Sequence, residues 1–159
     1  MEQRIEKDLL VELLPHKGKM FLLSRVTQHD VEKLTVTVET DINEDFIFYE
    51  KESNAIPSWC SFEIMAQAIS ALIGIHDRQF GIKPKAGCIL SVTSFKCGQS
   101  WFENGTTVKA TAEEEYRDLE SGIYRYRCKA YASPESTDSV VEATITVMQT
   151  ESMEKILGV

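Results

Sequence analysis

Residues 58–75 read Ser58-Trp59-Cys60-Ser61-Phe62-Glu63-Ile64-Met65-Ala66-Gln67-Ala68-Ile69-Ser70-Ala71-Leu72-Ile73-Gly74-Ile75, an apolar run with one charge in it. The run is too long for an ordinary strand and apolar on nearly every side, which is the pattern of a helix buried in a core. Ser58 is the expected N-cap and Gly81 a suitable C-cap residue, so the spacing predicts a helix over about 58–80. Its single charge, Glu63, is costly to bury unless it is paired, hydrogen-bonded or protonated. Glu63, Gln67 and Ser70 recur at i, i+4 and i+7 and share one narrow face, whereas Phe62, Met65, Ala66, Ile69, Leu72 and Ile73 suit the core.

Working outward, residues 8–14 form a short amphipathic helix stopped by Pro15. Residues 20–28 are strand-like, and Leu34, Val36 and Val38 alternate with polar residues as a half-buried strand does. Residues 41–57 are irregular. Beyond the helix, four strands are expected at 88–97, 106–115, 122–132 and 139–149, with a tail from about 151. Asn104-Gly105 and Glu120-Ser121-Gly122 supply turns between them. One long buried helix set between two strands and four gives an α+β class, a curved antiparallel sheet wrapped around a central helix. With no repeat or linker, the 159 residues make one domain.

A net charge of −8 disfavours nucleic acid or an anionic membrane as a general partner. Local basic clusters remain at Lys17 with Lys19, and at Arg78, Lys83 and Lys85. Cys60, Cys88, Cys97 and Cys128 are too dispersed for a zinc signature or a disulfide scaffold. The first eight residues lack the apolar segment of a signal peptide, and the central run, broken by Gln67 and serines, falls short of the roughly 18 apolar residues that cross a bilayer. A cytoplasmic protein that neither enters nor crosses a membrane is the expectation.

Desolvation on the helix would raise the Glu63 carboxyl towards neutrality, as a general acid requires. The plainer alternative is a rim carboxylate stabilised by the helix dipole. Backbone N–H groups near Ser58, Trp59 and Cys60 are placed to polarise a carbonyl oxygen. His16, in the turn Leu14-Pro15-His16-Lys17, is either a loop base or a hydrogen-bonded structural histidine. His29 and His76 read as exposed, and three scattered histidines make no metal site. Ser61 and Ser70 lack a G-x-S-x-G elbow. Cys60 is either a helix-start thiolate or, more simply, a small buried hydrophobe. Neither metal nor cofactor is expected.

Residues 13–26, Leu13-Leu14-Pro15-His16-Lys17-Gly18-Lys19-Met20-Phe21-Leu22-Leu23-Ser24-Arg25-Val26, resemble the opening L-L-P-H-R-x-P-F-L-L-V-D-R-V of the hot-dog-fold 3-hydroxyacyl-acyl-carrier-protein dehydratases. Phe62-Glu63-Ile64-Met65-Ala66-Gln67-Ala68 resembles their helix motif I-E-A-M-A-Q-A, and Ser94-Phe95-Lys96 with Asn104-Gly105 a later R-F-K…P-G segment. The resemblance implies a hot-dog fold and dimeric assembly. It makes Glu63 the acid that protonates the departing 3-hydroxyl, while helix-start N–H groups hold the thioester oxygen and a histidine from across the dimer removes the α-proton.

That family's histidine lies in F-P-G-H-F-P-G, fourteen residues before the glutamate, where this chain has Tyr49 within Phe46-Ile47-Phe48-Tyr49-Glu50-Lys51-Glu52. A tyrosine phenol is a poor base near pH 7, its unperturbed value being about 10. His16 matches a different, non-catalytic histidine of the family. The pattern is similar to a divergent subgroup of aryl-polyene-type gene sets, in which such a subunit pairs with a histidine-bearing paralogue. The resemblance therefore implies a dehydratase subunit whose substrate is a 3-hydroxyacyl thioester on an acyl carrier protein. Taken with the residue-by-residue reading, the catalytic candidates are Glu63, Tyr49 and His16, and the candidate substrate contacts are Ser58, Trp59, Cys60 and Gln67. A homodimer or a heterodimer fits, and the alternatives are a non-catalytic scaffold subunit or an acyl thioesterase.

Overall fold

Alternating burial along the strands sets the architecture. In the computed structural model, which describes residues 4–158, strand β3 (Thr35–Asp41) and the first half of β7 (Thr107–Asp118) bury every second side chain, as do β8 (Ile123–Tyr131) and β9 (Val141–Thr150). One face of the sheet is therefore apolar and needs a cover. Strands β1 (Ile5–Glu6), β2 (Arg25–Asp30) and β5 (Ala86–Cys97) complete a seven-stranded antiparallel sheet of order β1-β2-β3-β7-β8-β9-β5. A small second sheet pairs β4 (Ala55–Pro57) with β6 (Trp101–Glu103).

The cover is helix α2 (Ser61–Gln79), which packs against β3, β7, β8 and β9. Ile64, Met65, Ala68, Ile69, Ala71 and Leu72 are buried on its core side. They meet Val36, Val38, Val108, Tyr126 and Ile145 across a floor kept low by Ala110, Ala112, Ala130 and Ala143. Small side chains in the sheet let a helix with bulky residues approach closely. Each buried Leu, Ile or Met contributes about 1.5–3 kcal/mol. Ser58–Gln79 is long and apolar enough, by length and composition, to cross a membrane, contrary to the expectation from its serines and glutamine. Most of that surface is instead buried inside this fold.

Several boundaries differ from expectation for local reasons. Residues 58–60 form a 3-10 turn, and α2 proper begins at Ser61. Ser58 does not cap it, because its hydroxyl bonds the Gln99 carbonyl and lies 2.9 Å from Cys97 Sγ. The expected strand from residue 20 begins only at Arg25, since Gly18–Met20 make a 3-10 turn and Phe21–Leu23 are buried without entering the sheet. Helix α1 spans Lys7–Leu13, and the tail carries a short helix, α3 (Met153–Leu157).

Strand β5 pairs with β9 on one side only, and its exposed residues include Ile89, Leu90, Val92 and Phe95. A twelve-residue apolar edge is an open pairing surface. The opposite edge, β1, has two residues.

Gly122 turns β7 into β8 at φ 72°, and a Cβ there would run into the Gln149 carbonyl oxygen. Gly122→Ala is expected to destabilise the fold by about 1–3 kcal/mol, read as a lower urea midpoint with unchanged slope.

Candidate functional site

The polar stripe of α2 is where the chain between α1 and β2 is fastened. Gln67, fully buried, donates from Nε2 to the Met20 carbonyl at 2.6 Å and to Glu63 Oε1 at 3.0 Å, and its Oε1 accepts from the Leu22 N–H at 2.8 Å. Both amide hydrogens and the carbonyl are thus committed within the protein. Gln67 is therefore not free to bind substrate, contrary to the expectation from sequence. It holds Glu63 and the 20–22 segment in place.

The same fastening brings His16 to Glu63, with Nε2 3.4 Å from Oε1. The histidine side chain is 24% exposed and the carboxylate 14%. Among the described residues, His16 Nδ1 is buried with no hydrogen-bond partner, so the ring's one polar contact is directed at Glu63. Lys17, next in the chain, donates to the Val11 and Leu14 carbonyls and closes the end of α1.

Desolvation acts most strongly on Glu63 and pushes its carboxyl up. The His16 imidazole 3.4 Å away and the hydrogen bond from Gln67 together outweigh it. The net direction is below the ordinary 4.5, opposite to the rise expected for a resting general acid. In the single chain Glu63 is a carboxylate at neutral pH.

A groove of about 640 Å³ runs from this pair between α2, the α1–β2 turn, β5 and β9. His16 and Glu63 mark one end, and Ile69, Ile73, Val147 and Met148 line the walls. Arg78 and Lys85 stand at the other end. Arg78 lies fifteen positions beyond Glu63 along the helix, a rise of about 22 Å. A proton-transfer pair at the end of a long, mostly apolar channel suits an extended acyl chain with its reacting carbons near Glu63.

Other candidates fall outside this channel. Tyr49 is not among the groove residues; its hydroxyl donates to Asn54 Oδ1 at 2.8 Å, within the same loop. Cys60 is buried, and desolvation pushes its thiol up to about 12, so it is a packing residue and not a thiolate. The Ser58 N–H is taken by the Ser100 carbonyl, and Trp59 projects its ring outward at 54% exposure. His76 is not exposed as expected but rests against Phe80, with Nδ1 3.2 Å from Asp77, and His29 is half-buried in β2. The contact of His16 with Glu63 was missed from sequence, because only the folded path of residues 13–22 creates it.

One helix wrapped by a long antiparallel sheet, with a carboxylate on the helix facing an apolar groove, is a hot-dog protein. The ApeP-like family, described as ApeP dehydratase, matches residues 9–158, and the chain belongs to it. Among solved structures it is similar to the dehydratase heterocomplex ApeI:P from Xenorhabdus doucetiae, with TM-score 0.81 and 20% identity over 93% of this chain and 95% of that one. Cj0977, a sigma28-regulated virulence protein from Campylobacter jejuni, is similar at TM-score 0.65 and 13% identity, covering 91% and 90%. A putative thioesterase from Ralstonia eutropha follows at 0.56 and 11%, covering 77% and 82%. These structures share the fold. No curated protein matches the chain.

Two outcomes follow from the geometry. A depressed folded-state pKa means that Glu63 contributes stability above its unfolded value and loses it as pH falls from about 4.5 through the lower folded value. Glu63→Gln should flatten that limb of the acid-denaturation curve. Gln67→Leu strands the buried Leu22 N–H, at about 1–3 kcal/mol, and also removes the part-buried bond to the Met20 carbonyl; chemical denaturation should show the loss.

Proposed function

We propose that this chain is a dehydratase subunit that eliminates water from a 3-hydroxyacyl thioester carried by an acyl carrier protein, in aryl-polyene or related polyketide and fatty-acid synthesis. The observation that carries the reading is Glu63, oriented by Gln67 and His16 at the end of an apolar groove in a chain of the ApeP dehydratase family. A base removes the Cα proton, the Cα electron pair forms the double bond to C3, and the C3–O bond breaks. Glu63 gives its proton to the departing hydroxyl, so that water leaves and a carboxylate remains.

Glu63 is ionised in the single chain and needs a proton before it acts. His16, 3.4 Å away, is the group placed to supply one. Closure of the groove by substrate and partner would strengthen the desolvation that already acts on the carboxyl, favouring its protonated form. The base is a histidine supplied by a paralogous subunit, since the Tyr49 hydroxyl is engaged with Asn54. The exposed apolar edge of β5 supports such a partner, joined sheet to sheet. The heterocomplex form of the similar Xenorhabdus dehydratase supports it too. The reading places the work in the cytoplasm.

For the carrier protein, the cluster Arg78, Lys83 and Lys85 is favoured over Lys17 and Lys19, because Lys17 is committed to the α1 carbonyls. Arg78 and Lys85 border the groove, and Lys83 lies exposed between them in sequence.

Co-expression with candidate histidine-bearing paralogues, followed by an assay for enoyl-thioester product, tests the reading. Glu63→Gln in the active complex should lower turnover by about 10²–10⁴-fold. Unchanged turnover with altered assembly would make the chain a scaffold, and free thiol without enoyl product would make it a thioesterase. Charge reversal at Lys83 and Lys85 should weaken carrier binding by about tenfold at low salt and less at high salt.

A further inference from the structure

The face of α2 that carries Glu63, Gln67 and Ser70 has a fourth member. Gly74 stands eleven residues beyond Glu63, three turns on and at nearly the same angle about the axis. There the helix meets the end of α1 backbone to backbone. A Cβ at position 74 would lie 2.6 Å from the Leu13 carbonyl oxygen and 3.3 Å from Leu13 Cβ. The obstruction is main chain, which no rotamer change can clear, so any side chain at 74 forces α1 away. A glycine inside a helix is disfavoured by backbone entropy, and this close approach is the reason one stands here.

Leu13 ends α1, and His16 follows after two stiff residues. Leu14 is buried, its N–H bonding the Leu10 carbonyl at 3.2 Å, and Pro15 has a fixed φ. Lys17 closes the turn onto Leu14 O at 3.3 Å. A shift of α1 at Leu13 is therefore carried into the imidazole and not absorbed by a flexible link. Gly74 also lines the groove that His16 and Glu63 terminate.

We propose that Gly74 is a positioning residue of the His16–Glu63 pair: its missing side chain lets α1 seat on α2 so that the turn after α1 delivers His16 to Glu63. This rests on the His16–Glu63 pairing and not on the dehydration chemistry. The remaining charges of the groove are disposed elsewhere. Glu12 faces Arg78 at 3.9 Å, Asp77 is paired with His76, and Lys85 lies on the β5 side.

The test follows the Glu63 carboxyl carbon by NMR through an acid titration of the folded chain alone. In the unaltered protein its midpoint lies below 4.5. Gly74→Ala should raise it, because His16 withdraws while desolvation persists, and His16→Ala should raise it as well. With His16 already replaced, adding Gly74→Ala should change nothing. A Gly74→Ala protein that melts at a lower temperature yet keeps the original midpoint would overturn the proposal. An equal rise with and without His16 would do the same. Should Gly74→Ala not fold, Leu13→Gly loosens the last turn of α1 without a clash and must also raise the midpoint; an unchanged value there rejects the idea. No substrate or partner enters these titrations, so a failed dehydratase assay leaves their outcome independent.

Discussion

Three hydrogen bonds of one buried amide hold the working part of this molecule together. Gln67 ties α2 to the main chain at Met20 and Leu22 and steadies Glu63 beside it. A polar side chain in a core is a liability unless every group is matched, and here the matching groups belong to a segment that no sheet ladder supports. Phe21, Leu22 and Leu23 are buried although they precede β2, so their backbone needs a partner other than a strand. The glutamine is that partner. Fold and site thus share one set of contacts.

Electrostatically, the site is a carboxylate held between two opposing influences. Removal from water favours its neutral form, and the nearby His16 and the bond from Gln67 favour its charge. In the isolated chain the second influence wins. Such a balance responds to small changes in cover, because burial of the remaining exposed carboxylate edge strengthens only the first. In the proposed role, an acid that becomes competent as its channel closes would be spared idle proton exchange with bulk water.

Much of this architecture could be read from residue order alone. The central helix, its lone carboxylate and the four long strands after it follow from periodicity, and the shared face of Glu63, Gln67 and Ser70 from helical geometry. The start of α2 was misjudged because Ser58 looks like a cap, whereas in the fold its hydroxyl is drawn to Gln99 and Cys97 from beyond the helix. The residues after Met20 looked like strand because they are apolar, and their burial is indeed high; what periodicity cannot show is that a helix amide binds their backbone. The pairing of His16 with Glu63 was invisible for the same reason. It depends on a tertiary path, on how α1 ends and where the following turn lands, and neither residue carries a local mark of the other.

The open flank of β5 bears on how the protein is made. A subunit with a long edge that exposes apolar side chains is safe only while that edge is occupied. Released from the ribosome without a mate, it would template strands of its own kind or of any nascent chain nearby, whereas β1 at the far side is too short to do so. On the proposed pairing with a paralogous subunit, balanced synthesis of the two would be a requirement of solubility as much as of catalysis.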